Sequence, residues 1–275
     1  MEQYVLKENP DGSVITVRDV QNVLLSMLKD VDKVLKEYSI PYFLNGGSAL
    51  GAIRHKGFIP WDDDADIGVL REDYDRLLEA LKHLPDKYLF QCFENDKRYN
   101  VLIPNIKIRL KGTYLEEANK LLSNRCTGYE GCDGLFIDIF AYDSVSLNKM
   151  TGIGYRIANY LLMVPEIIAD NYLHINPVHI KKLIVWNARR YARAARKTNT
   201  EYVGFELTWL WNGFYPPYNF TKEELLPVKY VPFEDTYLPV PNQYDVYLRR
   251  YFGDSYMQFP PENKRFAKHI TDIRL

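Results

Sequence analysis

Cysteine is scarce in this chain, and the few cysteines present form no recognisable site. The 275 residues contain three of them, Cys92, Cys126 and Cys132. Their spacing does not match the close cysteine pairs of structural zinc sites, and an odd number leaves one thiol outside any set of disulfides. These features exclude a small scaffold held together by disulfides and favour a reducing compartment. We therefore expect a cytoplasmic protein.

Long hydrophobic runs are also missing. The longest largely apolar run, residues 158–164, is followed by Pro165-Glu166. It is much shorter than the roughly 20 residues that cross a bilayer. The first residues, MEQYVLKENPDGS, contain no apolar stretch of the kind found in secretory leaders. We therefore expect no membrane span and, at most, peripheral contact with the inner face of a membrane.

Neither sign of charge is in excess. Lysine and arginine number 35 and aspartate and glutamate 36, which gives a formal net charge of −1. General binding of nucleic acid requires a positive surface, so we expect no nucleic-acid partner. At 47% hydrophobic residues, a chain of this length can bury a full core. We find no internal repeat and no low-complexity linker.

The most informative acidic residues lie between residues 44 and 70, in LNGGSALGAIRHKGFIPWDDDADIGVL. Asp64 and Asp66 alternate with apolar residues, so on a strand both carboxylates face the same side, about 7 Å apart. Asp62 and Asp63 precede them, and such a group is costly unless a cation or a proton neutralises it. Oxygen ligands without adjacent histidine or cysteine favour Mg²⁺ or Mn²⁺ over zinc.

A turn of small residues precedes the acids. Gly46 and Gly47 permit a tight turn, and Ser48 is a good N-cap for a short helix. The start of such a helix presents free N–H groups to an anion. Arg54 and Lys56 follow at the other end of the helix. The segment therefore predicts a phosphate site beside a metal site.

Two other interpretations account for the same residues. An aspartate-rich turn is often only a solvated loop, and Asp62, Asp64 and Asp66 also fall at positions one, three and five of an EF-hand calcium loop. That loop requires glycine at position six, where this chain has Ile67. The glycines match neither a P-loop nor a dinucleotide fingerprint. A binding module whose aspartates hold a structural ion stays open as an alternative.

Two further groups of charged residues lie on predicted strands. Asp138 interrupts a nearly continuous apolar segment, and burying an unpaired carboxylate is costly. A metal ion would remove that cost, and so would pairing with an arginine or capping a turn. Lys107 and Arg109 alternate with apolar residues, which favours a solvated strand face, although contact with a phosphate is an alternative.

The hydrophobic pattern predicts an α+β order. Thr16 and Asp19 form a capping box for a long amphipathic helix. A second helix is expected from Glu72 to about His83. Strands are expected near residues 42–45, 65–70, 88–93, 101–110 and 134–140, and the chain after Asp143 is expected to be largely helical.

These residues resemble a known family. The run GGSALGAIRHKGFIPWDDDADIGV is similar to the signature of the LicD family of phosphocholine transferases. That family is related to the fukutin and fukutin-related ribitol-phosphate transferases and belongs to the nucleotidyltransferase superfamily. GLFIDIFAYD, residues 134–143, resembles the apolar strand of the family that carries a third metal-site acid, and residues 231–265 resemble its closing region. The resemblance extends from about residue 20 to about residue 268 and is weakest over 145–200.

The resemblance implies a mixed β-sheet of nucleotidyltransferase type flanked by helices, with a largely helical C-terminal part. Residues 1–145 would form the catalytic core, and residues 146–275 would complete the substrate site, within one compact domain or as a second region. Asp64, Asp66 and Asp138 would bind Mg²⁺ or Mn²⁺. The turn formed by Gly46, Gly47 and Ser48 would bind the phosphates of the donor.

The resemblance also implies an activity. The chain would transfer a phospho-alcohol, phosphocholine first among the candidates, from a CDP-activated donor to a hydroxyl of a glycan, lipid-linked glycan or teichoic acid precursor, with release of CMP. Asp62 would be a further metal ligand or the base that accepts the proton of the acceptor. Arg54, Lys56, Lys107 and Arg109 would add positive charge for the donor. A nucleotidyltransferase acting on a small acceptor is the alternative within the same class.

A basic amphipathic segment runs from His179 to Lys197. Its apolar positions include Ile180, Leu183 and Ile184, and its polar face includes Lys181. A docked helix with a solvated cationic side accounts for the pattern. Contact with an anionic membrane or a phosphate-bearing lipid-linked acceptor is the functional alternative.

The segment FELTWLWNGFYPPYNF, residues 205–220, is rich in aromatic residues. Core packing accounts for most clusters of this kind. Rings around a quaternary ammonium group would alternatively form a choline cage through cation–π attraction, with Trp209 and Trp211 as the candidates.

Overall fold

A mixed β-sheet packed against helices confirms the predicted α+β class. The computed structural model describes residues 4–96, 99, 105–118, 130–146, 148–198, 200–204 and 219–275. The helices of this part of the chain are α1 Val17–Glu37, α2 Gly46–His55, α3 Tyr74–Leu81, α4 Lys149–Asn171, α5 Val178–Arg196, α6 Lys222–Leu225 and α7 Tyr244–Phe252. The strands are β1 Val5–Glu8, β2 Val14–Thr16, β3 Tyr42–Leu44, β4 Asp66–Leu70, β5 Tyr88–Gln91, β6 Ile106–Leu110, β7 Tyr114–Glu117, β8 Phe136–Ser144, β9 Tyr202–Gly204, β10 Asn219–Thr221, β11 Lys229–Phe233, β12 Thr236–Val240 and β13 Ile270–Arg274.

The long strand β8 organises the main sheet. Along one edge β8 pairs in parallel with β4, and β4 pairs antiparallel with β3. Along the other edge, the first half of β8 pairs antiparallel with β6 and its end pairs with β9. β5 continues the sheet beyond β6, and β10 continues it beyond β9. Strand β8 therefore pairs with both of the other strands that carry predicted site residues, β4 and β6.

Helix α1 packs its apolar face on this sheet. Its start has the predicted capping box, since the side chains of Thr16 and Asp19 each accept a hydrogen bond from the backbone N–H of the other. The apolar positions of the helix recur every three or four residues. They are buried in the core that also contains Ile67 and Ile139 of β4 and β8.

Several predicted boundaries were wrong. Ser48 does not cap α2, because the helix begins two residues earlier at Gly46 and its N-cap is Asn45. The second predicted helix is divided into a 3₁₀ turn, Arg71–Asp73, and α3. The strand expected over residues 88–93 ends at Gln91, and part of the one expected over 101–110 lies outside the described residues.

The C-terminal part contributes strands as well as helices. β13 pairs antiparallel with β7, and β11 pairs with β12. These short strands join segments far apart in sequence or follow turns, so local periodicity did not predict them. Phe220, Tyr247 and Ile273 lie in the same hydrophobic core as Ile67. The division at residue 145 stays a prediction.

Helices α4 and α5 pack against each other as a hairpin. The prediction for α5 was wrong at two positions: Lys181 is buried and Leu183 is exposed. The reason is that Lys181 forms an ion pair with Asp170 of α4, with Nζ 2.9 Å from Oδ2. None of the helices in the described part of the chain is long and apolar enough to cross a bilayer.

The buried pair of Glu166 and Lys181 predicts a pH-dependent stability. Burial raises the pKa of Glu166 from 4.5 to about 8, and Lys181, 3.9 Å away, opposes this shift only in part. Between these pH values the folded protein keeps a proton that the unfolded chain has lost, so the free energy of unfolding decreases as the pH rises. We expect Glu166→Gln to become increasingly more stable than wild type from about pH 5 to pH 8.

Urea unfolding at the two pH values measures this difference. Glu79→Gln is the matched control, because Glu79 lies exposed on α3 beside Lys82. Its stability relative to wild type is expected to be the same at both pH values. An equal effect of Glu166→Gln at pH 5 and pH 8 would contradict the assignment.

Candidate active site

Three charged side chains form a row across neighbouring strands. In the parallel pair, Asp66 of β4 lies directly opposite Asp138 of β8. In the antiparallel pair on the other side, Asp138 lies opposite Lys107 of β6. Residues in register on adjacent strands project from the same face of a sheet. The pairing of β4 with β8 therefore brings together two predicted metal ligands that are 72 positions apart in the sequence.

Lys107 is the buried cation of this row. Its Nζ lies 3.0 Å from both carboxylate oxygens of Asp138 and 3.4 Å from Oε1 of Glu117. It also lies over the ring of Phe136. The solvated strand face expected for Lys107 and Arg109 is wrong, because these side chains are 4% and 1% exposed. Carboxylates from β7 and β8 lie against Lys107 on this face of β6, so the lysine is not in solvent.

The four predicted catalytic acids disfavour one another's ionisation. Burial raises the pKa of Asp62, Asp64, Asp66 and Asp138 above the usual value for a carboxyl group. Neighbouring carboxylates raise the pKa of Asp62 and Asp66 further. Lys107 opposes the shift at Asp64, Asp66 and Asp138. A bound divalent cation would remove the repulsion that remains.

The start of α2 lies against these acids. The hydroxyl oxygen of Ser48 accepts a hydrogen bond from the backbone N–H of Asp66 at 2.9 Å. Asn45 donates its backbone N–H to the carbonyl of Asp66, also at 2.9 Å. A Cβ atom on Gly47 would lie 2.9 Å from Oδ2 of Asp62. The Gly-Gly-Ser turn is therefore in direct contact with two of the four acids.

Two tyrosines support this turn, and sequence analysis did not place them there. Tyr247 accepts a hydrogen bond from the backbone N–H of Gly46 at 2.9 Å, and its hydroxyl donates to Oδ1 of Asn45 at 2.6 Å. Tyr142 donates to the same oxygen at 2.7 Å. Gly46 has a φ of +50°, a conformation that glycine adopts with little strain. The tyrosines therefore fix the position of the turn relative to β8 and α7.

The contact between Gly47 and Asp62 predicts the effect of Gly47→Ala. The added methyl group must displace the carboxylate of Asp62 but meets no backbone atom, so we expect little change in stability. A displacement of this kind at a reacting centre lowers turnover by about tenfold to a hundredfold. Turnover and the melting temperature of the purified variant measure the two effects.

Gly154→Ala is the control for this prediction, because a Cβ atom at Gly154 meets nothing within 4 Å. It should leave turnover unchanged. Gly51→Ala gives the opposite contrast, since its Cβ would lie 2.5 Å from the backbone oxygen of Gly57, and it should lower stability. Full activity of Gly47→Ala would show that the position of Asp62 does not matter.

Asp63 and His269 also belong to the site, and neither was among the predicted ligands. The carboxylate of Asp63 accepts backbone N–H groups from Lys268, His269 and Ile270 at 2.9–3.3 Å. This brings Nε2 of His269 to 3.2 Å from Oδ2 of Asp64. Ligand atoms of Asp62, Asp63 and His269 lie within 4.8 Å of one another. The sequence carries no signal for this contact, since His269 follows Asp63 by more than 200 residues.

The remaining predicted binding residues have other contacts. Arg54 donates to the backbone carbonyls of Tyr256 and Gln258 at 2.8 and 3.0 Å. Lys56 ends α2 in a left-handed conformation and is exposed. Arg109 donates to Oε1 of Gln91 and to the carbonyl of Gly134, both at 2.7 Å. Trp209 and Trp211 lie outside the described residues.

The donor set fits a hard divalent cation. Asp62, Asp64, Asp66 and Asp138 supply carboxylate oxygens, the ligands that Mg²⁺ and Mn²⁺ prefer, and His269 adds one ring nitrogen beside Asp64. Within the described part of the chain, Oδ1 of Asp138 is buried and accepts no well-directed hydrogen bond. The arrangement suits chemistry on a phosphate ester or anhydride.

Comparison with known families agrees with this arrangement. Residues 39–152, which include α2, the four acids and most of the central sheet, match the LicD/FKTN/FKRP nucleotidyltransferase domain. Over these residues the chain is similar to the LicD family. The match confirms the resemblance drawn from the Gly-Gly-Ser and Asp-x-Asp residues. It also includes Lys107, the buried cation that the acids share.

Named relatives extend the similarity beyond the LicD domain. The chain is 28% identical, over 94% of its length, to 97% of the lipopolysaccharide cholinephosphotransferase LicD of Haemophilus influenzae. It is 52% identical over 40 residues, 14% of this chain, to 8% of the human ribitol 5-phosphate transferase FKRP. It is 31% identical over 74 residues, 27% of this chain, to 15% of the mouse ribitol-5-phosphate transferase FKTN.

Proposed function

We propose that this protein is a metal-dependent transferase that moves a phospho-alcohol from a CDP-activated donor to a hydroxyl of a glycan, lipid-linked glycan or teichoic acid precursor, and releases CMP. Phosphocholine is the first candidate for the transferred group. The row of Asp66, Asp138 and Lys107, beside the start of α2, is the observation that carries the proposal. The relatives named as transferases of phosphocholine and ribitol phosphate support the same class of reaction.

Asp64, Asp66 and Asp138 are the proposed ligands for Mg²⁺ or Mn²⁺. When bound, such an ion supplies positive charge that neutralises the pyrophosphate and the leaving oxygen. Lys107 contacts both carboxylate oxygens of Asp138 and so holds that side chain on the face of the sheet that also carries Asp66. Asp62 is the proposed additional ligand or the base that takes the proton of the acceptor hydroxyl.

The turn at Gly46, Gly47 and Ser48 is the proposed phosphate site. Ser48 accepts a hydrogen bond from Asp66, so its own hydroxyl proton remains available for a donor phosphate. The backbone N–H of Gly46 is already bonded to Tyr247, which leaves less of the helix start for an anion than the sequence suggested. Arg54 lies close enough to Asp62 to oppose its raised pKa.

Release of CMP tests the proposal. The purified protein is incubated with Mg²⁺ and, separately, CDP-choline, CDP-ethanolamine, CDP-glycerol or CDP-ribitol, with and without a glycan acceptor. Release from one donor, lost when the metal is chelated, would identify the transferred group. Transfer of the nucleotidyl fragment to the acceptor instead would establish a nucleotidyltransferase. If the protein bound none of these donors in the presence of the metal, the proposal would be overturned.

A further inference from the structure

The exposed face of α4 is apolar over most of the helix. Large hydrophobic side chains recur on it at intervals of three or four residues and are 36–74% exposed: Met150, Ile153, Ile157, Leu161, Val164 and Ile168. All residues from 150 to 168 are described, and no exposed position among them carries a charge. Soluble proteins rarely leave a continuous apolar surface of this length in water.

Three polar residues in the described part of α4 point inward instead. Glu166 and Asn159 are 0% and 1% exposed and Arg156 is 6% exposed. Asn159 accepts a hydrogen bond from Nδ2 of Asn187 on α5 at 2.8 Å. A surface helix of a soluble protein has the reverse arrangement, with its apolar side on the core and its charged side in water. The hairpin therefore has polar contacts inside and an apolar surface outside.

The apolar surface continues around the end of the hairpin. Tyr172, Leu173 and Ile175, between α4 and α5, are 76%, 60% and 58% exposed. On α5, Leu183 and Trp186 are 48% and 52% exposed. Tyrosine and tryptophan are the side chains that favour the boundary between water and lipid.

Positive charge borders this surface. Helix α5 contains no aspartate or glutamate, and its exposed residues include Lys182, Arg190, Arg193 and Arg196. The guanidinium of Arg190 lies 4.7 Å from the ring centroid of Trp186. Anionic lipid headgroups complement such a border. If a second copy of the chain packed on the same face, two cationic α5 helices would meet. Neither α5 helix has an acidic residue to pair with the other.

We infer that the hairpin of α4 and α5 lies in the interfacial layer of a bilayer that contains anionic lipid, with the exposed face of α4 among the acyl chains and the cations of α5 at the headgroups. The sequence pattern pointed only to the cationic side of α5. The structure assigns the larger contact to α4. The backbone N–H of Ser146, just after β8, donates to the hydroxyl of Tyr191 on α5 at 3.0 Å, so the hairpin is joined to the strand that carries Asp138.

Vesicle flotation tests this inference. The full chain is mixed with vesicles of phosphatidylcholine, with or without about one third phosphatidylglycerol, and the fraction that floats is measured. We expect wild type to float with the anionic vesicles. Ile157→Glu/Leu161→Glu should lower the bound fraction by about tenfold or more, because two apolar side chains lose their burial. Arg190→Gln/Arg193→Gln should remove the preference for anionic lipid.

The control is Tyr237→Glu, which changes another highly exposed apolar residue, on β12, and should float like wild type. Thermal unfolding of each variant establishes that it folds. Failure of wild type to float with either vesicle would overturn the inference. A dimer in gel filtration that the α4 variant dissociates, without flotation, would assign the face to a second copy. Flotation that only the arginine variant loses would show a purely electrostatic contact and contradict insertion of α4.

Discussion

Asp66→Asn is expected to lower metal-dependent CMP release by about 10³-fold or more while leaving the protein at least as stable as wild type. The activity falls because the carboxylate that faces Asp138 across β4 and β8 is lost, and a metal ion contributes several kcal/mol to charge stabilisation in reactions of this type. Stability does not fall because the substitution removes one of several buried like charges. Initial rates and urea unfolding of the same preparations measure the two effects.

Asp235→Asn is the matched control for Asp66→Asn. Asp235 is largely exposed and pairs with Lys29 at the surface, so both rate and stability should remain close to wild type. Asp64→Asn should resemble Asp66→Asn in rate. If Asp66→Asn kept more than about a tenth of the activity, the row of β4 and β8 would not be the catalytic centre.

Lys107→Met is expected to destabilise the protein by about 3–5 kcal/mol. Lys107 is the buried cation between the carboxylates of Asp138 and Glu117, and its removal leaves both acids without that compensation. The change in the free energy of unfolding is measured by urea denaturation. We expect the double variant Lys107→Met/Asp138→Asn to be more stable than Lys107→Met alone, because one uncompensated carboxylate is then removed.

Lys87→Met is the control that shows how much stability is lost when an exposed ion pair is removed. Lys87 pairs with Asp30 at 2.8 Å, and its side chain is 50% exposed. Pairs exposed to this degree contribute about 0–1 kcal/mol. Equal destabilisation by Lys87→Met and Lys107→Met would show that the burial of Lys107 has no special importance.

Local pattern predicted the parts of the site that are close in sequence. Asp64 and Asp66 are two residues apart, and the Gly-Gly-Ser turn precedes them by at most twenty residues, so their proximity follows from one strand, one turn and one short helix. The capping box at Thr16 was predicted for the same reason, since both partners lie within one helical turn. Ser48 was misplaced as the N-cap because Asn45, Gly46 and Ser48 all suit the start of a helix, and the contacts of Asn45 with two tyrosines decide between them.

Local sequence patterns did not predict contacts between segments that are distant in the chain. The family resemblance suggested Asp138 as a metal ligand, but only the parallel pairing of β4 with β8 places it beside Asp66. The alternation of charged and apolar residues on β6 predicted that Lys107 faces solvent. In the structure it is buried between acids from β7 and β8. No local sequence pattern pointed to His269 as a site residue. Its position depends on a contact between distant segments, in which the carboxylate of Asp63 accepts the backbone N–H groups of His269 and Ile270.

The sequence by itself determined the class of fold, the acidic and small-residue motif and the family that this motif resembles, because these depend on residue types at short spacing. Only the tertiary structure decided which carboxylates share Lys107, which tyrosines fix the turn and which face of α4 is exposed. The physical reason is that burial and strand register depend on packing between segments far apart in the chain. Spacing within one segment carries no information about either.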